Sequence, residues 1–129
     1  MRPPLSFSQH RLWFLHKLYD RDTSYNVPRV LSIRGNVDHD SLALAIGDVM
    51  TRHEVLRTII RHEGDDSWQE VQPFVPVTIP FERIVTSQES IQGHVSRSLS
   101  HVFDLECELP VRITLIEAGH AQSVLVLLL

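Results

Sequence analysis

The run Val124 to Leu129, six consecutive apolar residues, constrains the fold more than any other feature of this chain. A strand that alternates apolar and polar residues rests one face on water. A strand apolar at every position is buried on both faces and belongs inside a layered fold. The run is too short to span a bilayer, which takes about 20 residues as a helix. A central strand normally continues into a polar loop, and loops at strand ends are where sites are built. The chain is therefore expected to be cut at Leu129, ahead of the residues that would do chemistry.

The rest of the pattern supplies layers for such a strand. Ser6 and Gln9 have capping-box spacing, with Leu5 placed for a hydrophobic staple. They predict a first helix carrying Leu12, Leu15 and Leu18, its apolar surface widened by Trp13, Phe14 and Tyr19. Asp20 to Ser24 is a polar break. Asn26 to Gly35 reads as a strand that Pro28 assigns to an edge or a strand start. Asp38 is the expected N-cap of the longest helix, with Leu42, Ala45, Ile46, Val49, His53 and Leu56 at helical spacing and Gly47 allowing close packing. Thr58 to Arg61 and Trp68 to Gln72 flank the turn signal Gly64-Asp65-Asp66 and predict a hairpin. Pro73, Pro76 and Pro80 mark a loop, and Phe81 to Val85 a short strand. Thr86 and Glu89 have a second capping-box spacing, ahead of a helix with Ile91, Val95, Leu99 and Val102. Val111 to Glu117 alternates, with Val111, Ile113 and Leu115 on one face and Arg112 and Thr114 on the other. Ala118-Gly119-His120 is a turn. Mixed helices and strands predict an α/β (α+β) two-layer sandwich with helices against a sheet.

Composition closes several functional classes. With 43% hydrophobic and 22% charged residues among 129, an ordered core is expected. The net charge of −4 argues against nucleic acid as a partner, since phosphate binding needs a basic face. A single cysteine, Cys107, excludes an internal disulfide and fits a reducing, cytoplasmic setting. There is no apolar signal segment, and no membrane association is expected.

Candidate chemistry is sparse. The eight histidines (His10, His16, His39, His53, His62, His94, His101 and His120) form no metal-ligand spacing, and no metal site is expected. No nucleophile elbow, P-loop or dinucleotide fingerprint is present. The densest polar cluster is Arg52-His53-Glu54-Val55-Leu56-Arg57-Thr58, where the long helix meets the next strand. Two readings are open for it. Arg52 and Arg57 cap the helix C-terminus or pair with surface acids, and His53 is a core histidine on the apolar face. Alternatively, Arg57 awaits a carboxylate outside this chain.

Four segments carry a family resemblance. Ser6-Phe7-Ser8-Gln9-His10-Arg11-Leu12-Trp13-Phe14-Leu15 resembles S-x-A-Q-x-R-L-W-x-L, the first core motif of the condensation domains of nonribosomal peptide synthetases, with Ser8 for alanine. Arg52 to Ile60 resembles the second, R-H-E-x-L-R-T-x-F, with Ile60 for the aromatic residue. Tyr25-Asn26-Val27-Pro28 is similar to the Y-N-x-P that follows the first helix. Phe103-Asp104-Leu105 with Leu109-Pro110-Val111-Arg112 is similar to the F-D-L…P-L-R ahead of the catalytic strand. The resemblance spans essentially the whole chain.

The resemblance implies a chloramphenicol-acetyltransferase-like fold, residues 1–129 being the N-terminal subdomain without the C-terminal lobe. It implies amide formation between aminoacyl or peptidyl thioesters on upstream and downstream peptidyl carrier proteins, beside an adenylation domain. No cofactor of its own is expected, since the substrates ride on phosphopantetheine arms. The family's third motif, H-H-x-x-x-D-G, would follow Leu129, so no catalytic residue falls in this chain and the isolated chain is expected to be inactive. Arg57 is expected to salt-bridge that motif's aspartate, with Arg52 as further active-site support. Gln9, Arg11, His53 and Glu54 are read as structural motif positions. Within the superfamily, epimerization, heterocyclization and CoA-dependent members are alternatives. So is a non-catalytic docking platform for carrier proteins.

Overall fold

The computed structural model describes residues 2–19, 23–76, 79–119 and 121–129. Asp20 to Asp22 of the expected polar break, and His120 of the expected turn, lie outside them. Among the described residues three α-helices are present: α1 (Phe7–Leu18), α2 (His39–Arg52) and α3 (Ile91–Leu99). The strands are β1 (Pro28–Arg34), β2 (Thr58–Glu63), β3 (Asp66–Val71), β4 (Phe81–Val85), β5 (Arg112–Glu117) and β6 (Gln122–Leu128).

The apolar run at the end of the chain is β6, and it sits inside a four-stranded sheet of order β1-β6-β5-β4. Both of its neighbours are antiparallel, with Leu31 opposite Leu125 on one side and Leu115 opposite Leu125 on the other. β4 runs parallel to β5, and α3 lies in the crossover that a parallel pair requires. β1 is an edge strand, which leaves Pro28 at its start without a missing ladder bond.

Each face of this sheet carries its own helix. On one face Ile46 and Met50 of α2 pack with Val111 and Ile113, joined by Leu125, Leu127 and the loop residues Phe74 and Ile79. On the other, Val95 of α3 packs with Ile116 and Val126, joined by Ile84 and Val124. The expected α/β (α+β) packing of helix on sheet is thus observed, with a helix on each face of this sheet where two layers were expected. Leu115, Ile116 and Val126 are completely buried.

β5 differs from its expected one-sided alternation. Thr114 and Ile116 are as buried as Ile113 and Leu115, because α3 covers the second face. On α2 the buried stripe is Ile46, Gly47 and Met50, with Ala45, Val49 and His53 exposed, so the expected face is rotated by about one residue. His53 is therefore not a core histidine. On α1 only Trp13 is buried, while Leu12, Phe14, Leu18 and Tyr19 are exposed. Leu5 is buried, but His10, the residue a staple would cover, is exposed.

The end signals fared unevenly. Ser6 and Gln9 form the expected reciprocal capping box. Thr86 and Glu89 do not, because the Thr86 N–H is taken by the Glu117 carbonyl at 2.9 Å and stays with the sheet. A 3-10 turn over Gln88–Ser90 intervenes, and α3 begins only at Ile91, with no side-chain cap. The β2–β3 hairpin pairs Glu63 with Asp66 around Gly64 and Asp65, and begins β3 two residues before the expected Trp68. Gly64, at φ +60°, supplies the left-handed residue such a tight loop needs.

Gly47 is the glycine whose lack of a side chain matters to packing. A Cβ there would lie 3.2 Å from Phe74 Cζ and 3.3 Å from Ile79 Cδ1. Gly47→Val is expected to cost about 1–3 kcal/mol in urea unfolding by overpacking this contact. Gly93→Ala in α3, with nothing within 4 Å, is expected to add up to about 1 kcal/mol through helix propensity alone. Equal shifts in the two variants would contradict the packing argument.

Asp38 caps α2 by accepting from the backbone N–H of Asp40 at 3.1 Å and of Ser41 at 3.2 Å. The Ser41 bonds above all hold its carboxyl below the ordinary 3.8. Gln72 and Arg61 lower Glu70 in the same direction by hydrogen bonding. A carboxyl depressed on folding contributes stability above its unfolded value, and that contribution is lost as pH falls through the folded value. Melting temperature is expected to fall with acidification below about pH 4. Asp38→Asn, which keeps an acceptor for the cap, is expected to flatten part of that slope and leave the Glu70 part. An unchanged acid slope in Asp38→Asn would refute the assignment.

Candidate functional site

The polar cluster of residues 52–58 lies where α2 ends, turns once through a 3-10 helix over Glu54–Arg57, and enters β2. Arg57 is its hub. Its Nε donates to the Met50 carbonyl at 2.8 Å, and Nη2 to the Thr51 carbonyl at 3.3 Å. These are last-turn carbonyls of α2, which have no partner inside the helix and carry the negative end of its dipole. Nη1 donates to the Gln72 carbonyl at 2.6 Å, just past β3. The Gln72 N–H returns to the Arg57 carbonyl at 2.7 Å. One guanidinium thus fastens the helix end to the open end of the hairpin.

Arg57 therefore caps the helix end, and its charge is solvated by carbonyl oxygens. No carboxylate among the described residues pairs with it. Arg52 is exposed, and its side chain joins none of the hydrogen bonds or ion pairs among the described residues. His53 and Glu54 are also exposed and act through backbone: the His53 N–H closes α2 on Val49, and the Glu54 carbonyl accepts Thr58 Oγ1 at 2.8 Å. The motif residues at this junction are brought together by the chain itself.

Gln9 reaches outside its helix. Its Oε1 accepts from the Ser6 N–H at 2.7 Å and from Gln69 Nε2 at 3.2 Å. Gln69 also holds the Pro3 and Pro4 carbonyls, so the first-motif glutamine ties α1 to β3. Arg11 is exposed and without such a partner among the described residues. At the other end of α1, Lys17 lies 4.7 Å from the Trp13 ring centre and 3.1 Å from Glu106 Oε1, which also holds His62 at 2.6 Å.

Sequence reading missed a second cluster. Arg112 Nη1 meets His101 Nδ1, His101 Nε2 meets Glu108 Oε1 at 2.8 Å, and Glu108 also accepts the Asp104 N–H at 2.7 Å. These residues lie in an irregular connector and a strand start, so no periodic signal links them. The F-D-L…P-V-R segment was the available pointer. A cleft of about 1020 Å³ opens beside them, lined by Arg112, Glu108, Cys107, Ile79 and Ile59 among others. Cys107 is exposed, and the hydrogen bond and charge of Asp104 push its thiol up, which disfavours the nucleophilic thiolate. Among the described residues no group of three His, Cys, Asp or Glu side chains gathers as a metal site, and no helix is long and apolar enough to cross a membrane.

With this geometry in place, residues 2–129 match the family described as Condensation domain. The chain belongs to the condensation-domain family. It is 40% identical over 134 residues to CymA of Salinispora arenicola, described as a probable non-canonical nonribosomal peptide synthetase, covering 99% of this chain and 2% of CymA. It is 35% identical over 116 residues to tyrocidine synthase 3 of Brevibacillus parabrevis, covering 90% of this chain and 2% of that synthase. Among solved structures, the X-domain in complex with OxyB from teicoplanin biosynthesis superposes with a TM-score of 0.88 at 25% identity, covering 99% of this chain and 28% of that one. The first condensation domain of the calcium-dependent antibiotic synthetase superposes with a TM-score of 0.84 at 22% identity, covering 100% of this chain and 32% of that one, a likeness of fold. The condensation-domain fold, chloramphenicol-acetyltransferase-like in type, is thereby shown for this chain. It spans only about 2% of the curated relatives' length.

Arg57→Ala removes the charged donor shared by three backbone carbonyls, and hydrogen bonds to charged groups contribute about 1.5–3 kcal/mol each when buried. Solvent reaches this site, so a net loss of about 2–3 kcal/mol is expected in chemical denaturation. Arg57→Lys, one point charge in place of a fork, is expected to recover less than half. A loss under about 0.5 kcal/mol for Arg57→Ala, the level of an ordinary surface change, would show that the clamp is idle.

Proposed function

We propose that this chain is the N-terminal lobe of a condensation domain that forms amide bonds between carrier-protein-bound thioesters. The observation that carries the reading is the family match over residues 2–129. The downstream amine attacks the upstream thioester carbonyl. The tetrahedral intermediate collapses with cleavage of the C–S bond, and the upstream thiolate that leaves takes up the proton the amine gives up. That chemistry asks the protein for orientation and for help with charge at the tetrahedral stage. The lobe's contribution is a rigid frame, in which α2 and the hairpin are fixed by Arg57 and the sheet end is presented at β6.

In this reading the substrates arrive on phosphopantetheine arms of upstream and downstream peptidyl carrier proteins. A C-terminal lobe and an adenylation domain are the neighbours, and the setting is cytoplasmic. Arg57 and Arg52 support the active site. Arg57 spends one N–H on each of its three carbonyl partners, and a guanidinium has five. Two N–H groups are thus left for a catalytic-loop carboxylate. Gln9, Arg11, His53 and Glu54 hold the frame.

The 129-residue chain alone, given two loaded carrier proteins, is expected to yield no amide. Grafted in place of the matching segment of tyrocidine synthase 3, it is expected to restore condensation, and Arg57→Ala in that chimera to abolish it. Amide from the chain alone would refute its incompleteness, and an inactive but folded chimera would refute the condensation reading. Normal turnover by the Arg57→Ala chimera would remove that residue from the site.

A second reading is a non-catalytic docking platform. The likeness to the X-domain, whose structure was solved in complex with OxyB, favours it. Capture of loaded carrier proteins by a chimera that forms no amide would select this reading.

A further inference from the structure

β6 leaves the sheet between two flanking elements, the lead-in to β1 on one side and the start of β5 on the other. Leu128 pairs with Pro28 and with Arg112. One residue further on, Val27 and Leu129 exchange both backbone hydrogen bonds, at 2.7 and 3.1 Å. One residue outside the sheet touches both flanks. His101, in the connector between α3 and β5, accepts Asn26 Nδ2 on its carbonyl at 2.9 Å and holds Arg112 Nη1 with its ring.

The ring's protonation pattern follows from its partners. A guanidinium only donates, so Nδ1 must present its lone pair to Arg112. The proton of the neutral ring is then on Nε2, where it donates to Glu108 Oε1 at 2.8 Å. Glu108 is fixed in turn by the Asp104 N–H at 2.7 Å. Phe103, itself buried, stands edge-on to the ring at 5.0 Å between centres. The imidazole has an acceptor where it needs one, a donor where it needs one, and an aromatic wall. The side chain is 22% exposed, which leaves it little freedom to reorient.

We propose that His101 is a positioning residue that staples the two flanks of β6 together and so sets the direction in which the chain leaves the sheet. Its catalytic consequence rests on the condensation reading, in which the loop beyond β6 carries the chemistry. Its structural consequence stands without that reading. Arg112 is the arm of the staple: held by His101, its side chain stays at the β6 end and beside the large cleft, which it also lines.

The first measurement is the nitrogen chemical shifts of His101 in the 129-residue chain at neutral pH. A neutral ring protonated at Nε2 is expected. A ring protonated at Nδ1, or an imidazolium, overturns the proposal. The second is amide hydrogen exchange in His101→Ala. Val27 and Leu129 are expected to exchange about tenfold faster or more, while Leu115 and Leu125 keep their rates. His101→Gln presents an acceptor to Arg112 and a donor to Glu108, and is expected to restore the slow exchange. Unchanged rates, or an increase shared by all four amides, overturns the proposal. If His101→Ala fails to fold, the shifts of the unaltered chain and the exchange of His101→Gln decide it. In the tyrocidine synthase 3 chimera, His101→Ala is expected to lower kcat with KM for the loaded carrier proteins retained, and His101→Gln to recover kcat. A chimera with unaltered His101 that is inactive defeats the condensation reading, and the shifts and exchange still judge the staple. An active chimera indifferent to His101→Ala removes the catalytic consequence.

Discussion

A strand apolar at every position has to be covered on two faces and bonded on two edges, and β6 is that strand. Its edges bind β1 and β5, and its faces contribute to the α2 core and the α3 core. With β5 it supplies the apolar surface on which both helices rest. The burial of Leu115, Ile116 and Val126 describes the middle of this arrangement, where two strands and two helices share one centre. Full burial of side chains of this kind contributes about 1.5–3 kcal/mol each, the largest favourable contribution available to a domain of this size.

Around that centre, polar side chains work mainly by completing backbone. Arg57 satisfies the carbonyls left over at the end of α2 and, through Gln72, seals the open end of the hairpin. Gln9 shares one oxygen between its own cap and Gln69 of β3. Asn26 holds the carbonyl of His101. Each joins two pieces of chain that no ladder bond connects. In this chain Gln9 and Arg57 thus act where a helix begins or ends, and where the direction of the adjoining chain has to be set by side chains.

What could be read from the residues, and what could not, divides along the same line. β6, the hairpin, the Asp38 cap and the Ser6–Gln9 box were legible because periodicity and capping act within a few residues. The second box at Thr86 and Glu89 failed because a distant partner, Glu117, claimed the Thr86 N–H. The alternation in β5 misled because periodicity reports one covered face and α3 covers the other. On α2, close approach of Phe74 and Ile79 at Gly47 shifted the buried stripe away from Ala45 and Val49. The role of Arg57 was left between a helix cap and an awaited ion pair, since its partners are carbonyls and carry no sequence signature. His101, Glu108 and Arg112 were invisible as a group, because the connector that assembles them has no period.

The sheet's order has a kinetic side. β1 and β6 pair Pro28 with Leu128, so most of the chain lies between the two partners. Closing a loop of that length costs more entropy than closing the β2–β3 hairpin, though the cost grows only logarithmically. During synthesis β1 emerges well before β6 and waits, its exposed Val30 and Leu31 unpaired, until that strand arrives. β4 in turn reaches the sheet only through β5, the strand between it and β6. Local pieces of this fold can form as they appear, whereas its central sheet closes in one later, long-range event. Contacts of that kind slow folding and lengthen the time during which a strand edge is open to the wrong neighbour.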